Sequence, residues 1–402
     1  MQHPFYKTAL SAFKAGVAAA DPYDAVLQNM PNFERPPLVL AIGKAAIGMA
    51  TAARDALGGL TDAIIVTNPE NAGDLEGATI FAAAHPVPDH VGISAGQAVI
   101  AALNAAPLDQ PVLCLISGGG SALLPAPKAP MTLADKATVN DLLLASGANI
   151  VTMNMIRQQL SDLKGGGLLR HAGPRPMTAL ILSDVVSDDL RAIASGPTVG
   201  PIGTCAQAVA ELQSLNLWDG LPASAQQVLM QDTPKPELPD ATNILIGSND
   251  ISVSAIVASL PIATHHTTPL EGNVTDAAAW VAALPKGTHV FGGETTVTLT
   301  GTGRGGRNQD LALRLALLAE QQGWDGPWLY LQGGTDGRDG PTDAAGGVVD
   351  QHTLKAIRAA GVDPQAALDN NDSYTALKAG DVLLITGGTG TNVADIGVLI
   401  RS

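Results

Sequence analysis

The sequence predicts an α/β protein of two domains, with a parallel sheet in the first and a mixed sheet in the second. Three observations lead there. Short apolar runs alternate with helical stretches along the chain, the pattern of strands joined by crossover helices. The 402 residues exceed a typical single-core domain and suit two. Hydrophobic residues make up 46% and aromatics only 3%, so the core must be Ala, Val, Leu and Ile, which suits tight helix–sheet contacts.

Residues 1–30 read as helices with apolar positions Phe5, Leu10, Phe13 and Val17. LVLAIG (38–43) reads as a buried parallel strand, and the helix KAAIGMATAARDAL follows it. AIIVTN (63–68), TIFAAA (79–84) and VLCLIS (112–117) are further β runs, with a helix over 93–105. Helices over 132–145 and 150–163 precede the strand TALILS (178–183). QDTPKPELPDA (231–241) holds three prolines and no periodicity, so it reads as a linker, and the expected domains are 1–235 and 236–402. Beyond it come NILIGS (243–248), a helix over 250–260, a strand over 261–267 and a helix over 274–284. THVFGG (288–293) and TVTLTG (296–301) read as two strands around a short turn. A helix over 308–322, the runs WLYLQG (328–333) and GVVD (347–350), helices over 353–378 and DVLLITGG (381–388) complete the pattern.

Charge narrows the partners. The formal net charge of −15 repels nucleic acid and anionic membrane surfaces. An anionic small substrate stays open, because a few cations can reverse the sign locally. Only 22 residues are basic, so those beside glycine loops stand out: Lys44, Lys164, Arg304, Arg307 and Arg338. The two cysteines, Cys114 and Cys205, make neither a disulfide framework nor a zinc site. The N-terminal stretch lacks a signal-peptide core, and no apolar run nears ~18 residues, so the expected compartment is reducing cytoplasm. Oligomeric state is not readable from these patterns; a homodimer is the assembly considered.

Seven glycine-rich loops carry the functional signal, most of them directly after apolar runs. They are SGGGS (117–121), KGGG (164–167), SGP (195–197), FGGET (291–295), GTGRGGRNQD (301–310), GGTDGRDGPTDAAGG (333–347) and TGGTGTN (386–392). Glycine lets the backbone approach a ligand and supplies the positive φ at which successive N–H groups converge. Together the loops predict a cleft that grips an anion, phosphate first.

The P-loop pattern fails at Gly43-Lys44, because Leu38 stands where the first Gly belongs and Ala45 follows the Lys. A G-x-G-x-x-G at Gly301, Gly303 and Gly306 opens a helix, yet no acidic residue ends the next strand as a dinucleotide site requires. Ser117, Gly118, Gly119, Gly120 and Ser121 follow a buried strand, where open α/β sheets bind ligands. Their N–H groups and two hydroxyls can cradle an anion, and a tight turn rarely needs three consecutive glycines. Lys44 begins a helix against its macrodipole, which suits a cation meant for phosphate or carboxylate; a solvated lysine fits as well. Arg157 and Lys164, seven residues apart on the expected helix, could share an anion or simply face solvent.

Asp184, Glu294 and Asp336 each follow a strand or a glycine pair, and Asp188, Asp189, Asp339 and Asp343 lie nearby. Magnesium takes one or two carboxylates with phosphate oxygens and water, and a hydroxyl nucleophile needs a carboxylate for its proton. Turn-forming acids are the alternative, weakest where they are dense at 333–343. Arg307 and Asn308 open the helix after GTGRGG, and Arg binds carboxylate and phosphate bidentately. The parts together describe phosphoryl transfer.

AIGKAA (41–46), HPVPD (85–89), LISGGGSALLPAP (115–127), MNMIRQQLSDLKGGGL (153–168), LSDV (182–185) and IASGPT (193–198) follow one another through the first half. GGETTVTLTGTGRGGRNQDLAL (292–313), GGTDGRDGPTDAAGG (333–347) and TGGTGTNVADI (386–396) follow in the second. In these blocks the chain resembles the glycerate 2-kinase family, whose C-terminal half is called the MOFRL domain and some of whose members carry the older label hydroxypyruvate reductase. The resemblance implies two α/β domains around a deep cleft, the larger one Rossmann-like. It implies a kinase that uses ATP and Mg2+ to phosphorylate the 2-hydroxyl of D-glycerate, giving 2-phosphoglycerate and ADP. The rival is an NAD(P)H-dependent hydroxypyruvate reductase. Carried over by motif, Lys44 and Arg307 would meet the transferring phosphate and the glycerate carboxylate. Ser117 to Ser121 would hold phosphates or substrate. Asp184, Glu294 and Asp336 would share the metal and base roles, with Arg157, Lys164 and Asn308 in support.

Overall fold

The computed structural model describes residues 3–231 and 237–402. They fall into two compact units, one of Pro22–Ser183 with Ser187–Ile246, the other of Met1–Asp21, Asp184–Val186 and Gly247–Ser402. The domain boundary expected between 235 and 236 lies outside the described residues.

The first unit is built on β1 (Leu38–Ile42), β2 (Ala63–Thr67), β3 (Ala78–Ala82), β4 (Val112–Ile116), β5 (Met177–Leu182) and β6 (Thr242–Gly247). Their order is β3-β2-β1-β4-β5-β6. The four pairings among β1 to β5 are parallel. Every residue of β1, β2 and β4 is buried, as the unbroken apolar runs require of strands covered on both faces. β6, expected to open the second domain, is instead the sixth strand of this sheet, beside β5. The order reverses between β1 and β4, so the loops leaving their carboxyl ends diverge and open a crevice.

Helices Leu133–Ala145, Ile150–Gln159, Cys205–Ser214 and Ala223–Met230 share a smaller core in the same unit, around Val139, Leu143, Ile156, Ala208 and Leu212. Thr132 starts the first of them with a capping box: its Oγ1 accepts from Asp135 N at 3.1 Å, and Asp135 Oδ2 accepts from Thr132 N at 2.8 Å. The helix expected over 150–163 stops at Gln159. Ser161 Oγ accepts from the N–H groups of Leu163 and Lys164 and so offers the backbone an alternative to the helical ladder. Lys164 therefore lies beyond the helix that carries Arg157.

The second unit holds β7 (Ala263–Asn273), β8 (Gly287–Thr296), β9 (Trp328–Gly334), β10 (Gly346–Asp350), β11 (Leu383–Leu384) and β12 (Asp395–Arg401), in the order β11-β10-β9-β12-β8-β7. β7 and β8 pair in parallel and the other pairs are antiparallel, the mixed sheet expected. Residues 288–301, expected as two strands, contribute the single strand β8. A side chain at Gly292 would collide with Asn249, and one at Gly293 with the Leu270 backbone, so these glycines serve close packing and not a turn. Of 381–388 only Leu383–Leu384 is strand. β12, which the sequence reading passed over, runs inside the sheet between β9 and β8. Its signal was the run Ile396, Val398, Leu399 and Ile400 at the chain end.

Neighbouring residues of the inner strands feed different cores. Leu331 and Val398 pack with Phe13 of helix Tyr6–Ala19 and Ile256 of helix Asn249–Ser259. Tyr330 and Leu399 pack with Leu311 and Leu315 of helix Arg307–Gln321. Because side chains alternate across a strand, the sheet is sandwiched between helical layers. Each fully buried Leu, Ile or Phe contributes about 1.5–3 kcal/mol, so these layers fix where the strand ends lie.

Candidate active site

The first cluster grows from the strand ends at the sheet reversal. Gly43 follows β1 with φ +124, and a side chain there would collide with Ser117, the residue after β4. Lys44 N donates to Gly118 O at 2.9 Å, and Ala45 N donates to Ser117 Oγ at 3.1 Å. Buried Ser117 thus fastens the two loops together. Gly119 takes φ +85. A Cβ on it would lie 3.2 Å from His85 Cδ2 and 3.3 Å from Lys44 Cγ, so its backbone runs between an imidazole and a lysine. At Gly120 a Cβ would sit 2.9 Å from Ala194 Cβ. Ser121 Oγ and Ser195 Oγ are 2.9 Å apart. Ala194 and Ser195 hold positive φ without being glycine, a strained backbone pressed against the loop.

Lys164 is buried and ends on this loop. Its Nζ donates to Ser121 O at 2.8 Å and also to Ser121 Oγ. Burial, then Lys136 and Arg157, pull its ammonium well below the usual lysine range. Arg157 is not drawn to the loop: its Nη2 lies 3.9 Å from Met153 Sδ. His85, missed as a candidate although HPVPD flagged it, is lowered by burial and then by Lys44.

The second cluster sits along one edge of the second sheet. Register sets Asp395 opposite both Gly293 and Gly334, so β8, β9 and β12 bring Glu294, Asp336 and Asp395 to neighbouring strand ends. Arg307 opens its helix below them. Its Nε and Nη2 donate to Asp395 at 2.5 and 3.1 Å, and its Nη1 lies 2.9 Å from Glu294 Oε1. Burial opposes the guanidinium's charge, but the bonds to Asp395, with Glu294 and Asp339, outweigh it and raise its pKa. Asn308 is buried with all its groups engaged: Nδ2 donates to Asp395 at 2.9 Å and to Asp339 at 3.3 Å, and Oδ1 accepts from Gln332 at 2.7 Å.

Gly306 gives this helix no side-chain cap. Asp339 supplies one from a distant loop, accepting from Asn308 N at 3.1 Å and Gln309 N at 2.8 Å. Burial nevertheless pushes its carboxyl up to about 6, against those N–H bonds. Glu294 is also raised, by burial first; Arg307 opposes, while Asp395 and Asp184 add repulsion. Asp184, just past β5, therefore acts on Glu294. Asp336 Oδ1 accepts from Arg338 N at 2.9 Å. A Cβ on Gly334 would lie 3.3 Å from Asp336 Oδ1 and 3.4 Å from Asp395 Oδ1, so the two carboxylates flank it. Among the described residues no three His, Cys, Asp or Glu form a metal-holding group. Asp395 was not singled out from sequence, although TGGTGTNVADI contains it.

The dinucleotide-like loop has another purpose. Side chains at Gly301, Gly303, Gly305 and Gly306 would collide with Asn370, Asp372, Ser373 and Asp339. These glycines let the loop pack against its own protein.

A sheet ordered 3-2-1-4-5-6 with an anion-cradling loop at its reversal, in a chain that also carries a mixed sheet edged with carboxylates and arginine, defines an α/β small-molecule kinase built in two parts. Residues 8–230 match the family described as a domain of unknown function, DUF4147, and residues 287–395 match the MOFRL family. A glycerate 2-kinase of Pyrococcus horikoshii is 38% identical, covering 96% of this chain and 94% of its own length. An Agrobacterium vitis protein provisionally named hydroxypyruvate reductase is 41% identical, covering 96% of this chain and 92% of its own. The crystal structure of a Thermotoga maritima glycerate kinase matches with a TM-score of 0.92 at 35% identity, over 98% of this chain and 99% of that one. The chain belongs to the glycerate 2-kinase family.

Proposed function

We infer that this chain is a glycerate 2-kinase, moving the γ-phosphate of ATP to the 2-hydroxyl of D-glycerate to give 2-phosphoglycerate and ADP. The observation that carries the reading is the meeting of Lys44 with the Gly119 backbone at the sheet reversal. Among the described residues Lys44 makes no ion pair, so its charge is available to an anionic ligand.

Phosphoryl transfer asks little covalent chemistry of a protein; it asks for positioning and for charge opposite the transferring group. Lys44 and the backbone of Gly118 to Gly120 would hold phosphate oxygens, with Lys164 keeping Ser121 in place. Arg307 would offer Nη1, the arm now on half-exposed Glu294, to the glycerate carboxylate or the transferring phosphate. Asp395, almost fully buried, would keep the other two nitrogens and fix the fork. Asn308 would act by holding Asp395 and Asp339. Asp184 or Asp336 would take the proton of the attacking hydroxyl.

Asp184 and Glu294 fit a magnesium ion: both are hard oxygen donors, they repel one another, and two carboxylates leave room for phosphate oxygens and water. Asp336 would be an alternative donor and not a third member of one set, because no three such residues form a metal-holding group among the described residues. The ion supplies neutralisation of charge on the nucleotide phosphates. The filled Gly301–Gly306 loop gives the reductase reading no pyrophosphate site. A cytoplasmic setting agrees with two free cysteines and with the absence, among the described residues, of a helix long and apolar enough to cross a membrane.

The test is ADP release from the purified protein given D-glycerate, ATP and Mg2+, beside NADH or NADPH with hydroxypyruvate. Glycerate-dependent ADP without cofactor oxidation is expected. Cofactor oxidation without ATP use would overturn the reading.

A further inference from the structure

His85 lies on the loop between β3 and the helix His90–Ala105, and no step above uses it. That loop leaves the carboxyl end of the parallel sheet, as do the loops after β1, β2 and β4, and open α/β sheets take their ligands at that end. Three of these loops meet at Gly119. A Cβ there would lie 3.2 Å from His85 Cδ2, 3.3 Å from His85 Nε2 and 3.3 Å from Lys44 Cγ. The Cδ2–Nε2 edge of the ring is therefore turned to the glycine backbone, and the lysine stem lies on the same backbone. His85, Lys44 and Gly119 are each only partly buried, so solvent reaches all three.

Neither ring nitrogen of His85 makes a hydrogen bond among the described residues. The charged groups acting on the ring are Lys44, from the loop after β1, and Glu70, from the loop after β2. Glu70 is itself engaged by the side-chain amide of Asn68. Burial first and Lys44 second hold the ring below the usual histidine range, with Glu70 opposing, so it is neutral near pH 7. A neutral imidazole carries one N–H to donate. Beside an ammonium, the acceptor that suits it best is an anion that both can share. Neither His85 nor Lys44 makes an ion pair among the described residues, so that place is open to a ligand.

We propose that His85 is a further phosphate ligand, donating from its Nε2 edge to the nucleotide phosphate held by Lys44 and the backbone of Gly118 to Gly120. This rests on the kinase reading for the identity of the ligand, and on the geometry at Gly119 for the contact. A bound phosphate brings negative charge to the ring and so raises its pKa. The bound form then holds the proton more tightly than the free form. The extra affinity is therefore full below the free value and is lost as pH rises through the bound one. Above that window the ring still donates one neutral hydrogen bond.

The experiment is isothermal titration calorimetry of the full chain with ATP and Mg2+, in two buffers of different ionisation heat, for wild type, His85→Gln and His85→Phe. At about pH 8, His85→Gln should bind ATP close to wild type, because the amide keeps one donor, and His85→Phe about tenfold more weakly, as for a lost hydrogen bond to a charged group. At about pH 6, wild type should bind several-fold tighter than His85→Gln and take up a fraction of a proton that His85→Gln does not. The titration of ATP itself cancels in that difference. If His85→Phe does not fold, His85→Gln carries the proton comparison alone. A ring that only packs would weaken both variants equally at both pH values with proton uptake unchanged, and that result overturns the proposal, as do equal affinities in all three proteins. Glycerate-dependent ADP release by wild type, with ATP binding unmoved in the variants, sinks the proposal and leaves the kinase standing. Proton uptake that depends on His85, without glycerate-dependent ADP release, keeps the phosphate ligand and sinks the kinase. Failure of wild type to bind ATP overturns both.

Discussion

The two strand-end regions handle charge in opposite ways. Where β1 and β4 part, Lys44 stands over glycine backbone and forms no ion pair among the described residues. On the edge of the second sheet, Arg307 is clasped by Asp395 and Glu294, and the helix it opens is capped by Asp339. A cation without a counter-ion is poised for a ligand. A cation held by a buried acid is first a structural group, and only its outer arm can turn to substrate. From sequence the two residues looked like equal candidates, each beside a glycine loop.

The largest expected difference is in activity. Lys44→Ala should lower kcat/KM about 100- to 1000-fold, the usual range for removing one preorganised donor to developing charge. Its melting temperature should hardly move, because among the described residues the side chain has no ion pair to lose. A melting shift as large as that of an Arg307 variant would erase the contrast between the regions.

Arg307→Met should do both kinds of damage. It strands the Asp395 side chain, which is 2% exposed, while the Arg307 side chain is 33% exposed. Partial exposure softens the loss, so about 3 kcal/mol of stability is expected, measured by urea denaturation. Adding Asp395→Asn should recover part of that stability without restoring turnover. Equal stability of Arg307→Met and wild type would mean the clasp is only a surface pair.

Asp339 sharpens the comparison through pH. Its carboxyl is raised from 3.8 to about 6 in the folded protein, so the folded state binds this proton more tightly than the unfolded chain. Its contribution is full below the unfolded value and is lost as pH rises through about 6. Many surface acids are shifted downward and act the other way, so the readout is a difference. Between pH 4 and 6 wild type should lose about 2 kcal/mol relative to Asp339→Asn. Parallel pH profiles would show that the cap holds a plain carboxylate.

The smallest effect belongs to Gly119→Ala. A left-handed φ costs a side chain about 1–2 kcal/mol, and the new Cβ would press on His85 and Lys44. A modest melting shift with a raised KM for ATP is expected; an unchanged KM would remove the loop from nucleotide binding.

Much of this was legible in the chain. The buried runs of β1, β2 and β4 have no polar interruption, so their place in a covered parallel sheet follows from composition alone. Lys44 and SGGGS were legible because both directly follow such runs. Other features depend on contacts far apart in sequence. The glycines of β8 read as a turn because Asn249 and Leu270, which force them, lie elsewhere in the chain. Asp395 went unnoticed because its importance comes from Arg307, 88 residues away. Lys164 was placed on a helix that Ser161 ends, yet it still meets Arg157 at one cavity.

Glycerate phosphorylation is read most directly by phosphorus NMR of the reaction with D-glycerate, ATP and Mg2+. Equal amounts of ADP and 2-phosphoglycerate are expected. Inorganic phosphate in place of a phosphoglycerate, or phosphate carried at the 3-position, would contradict it.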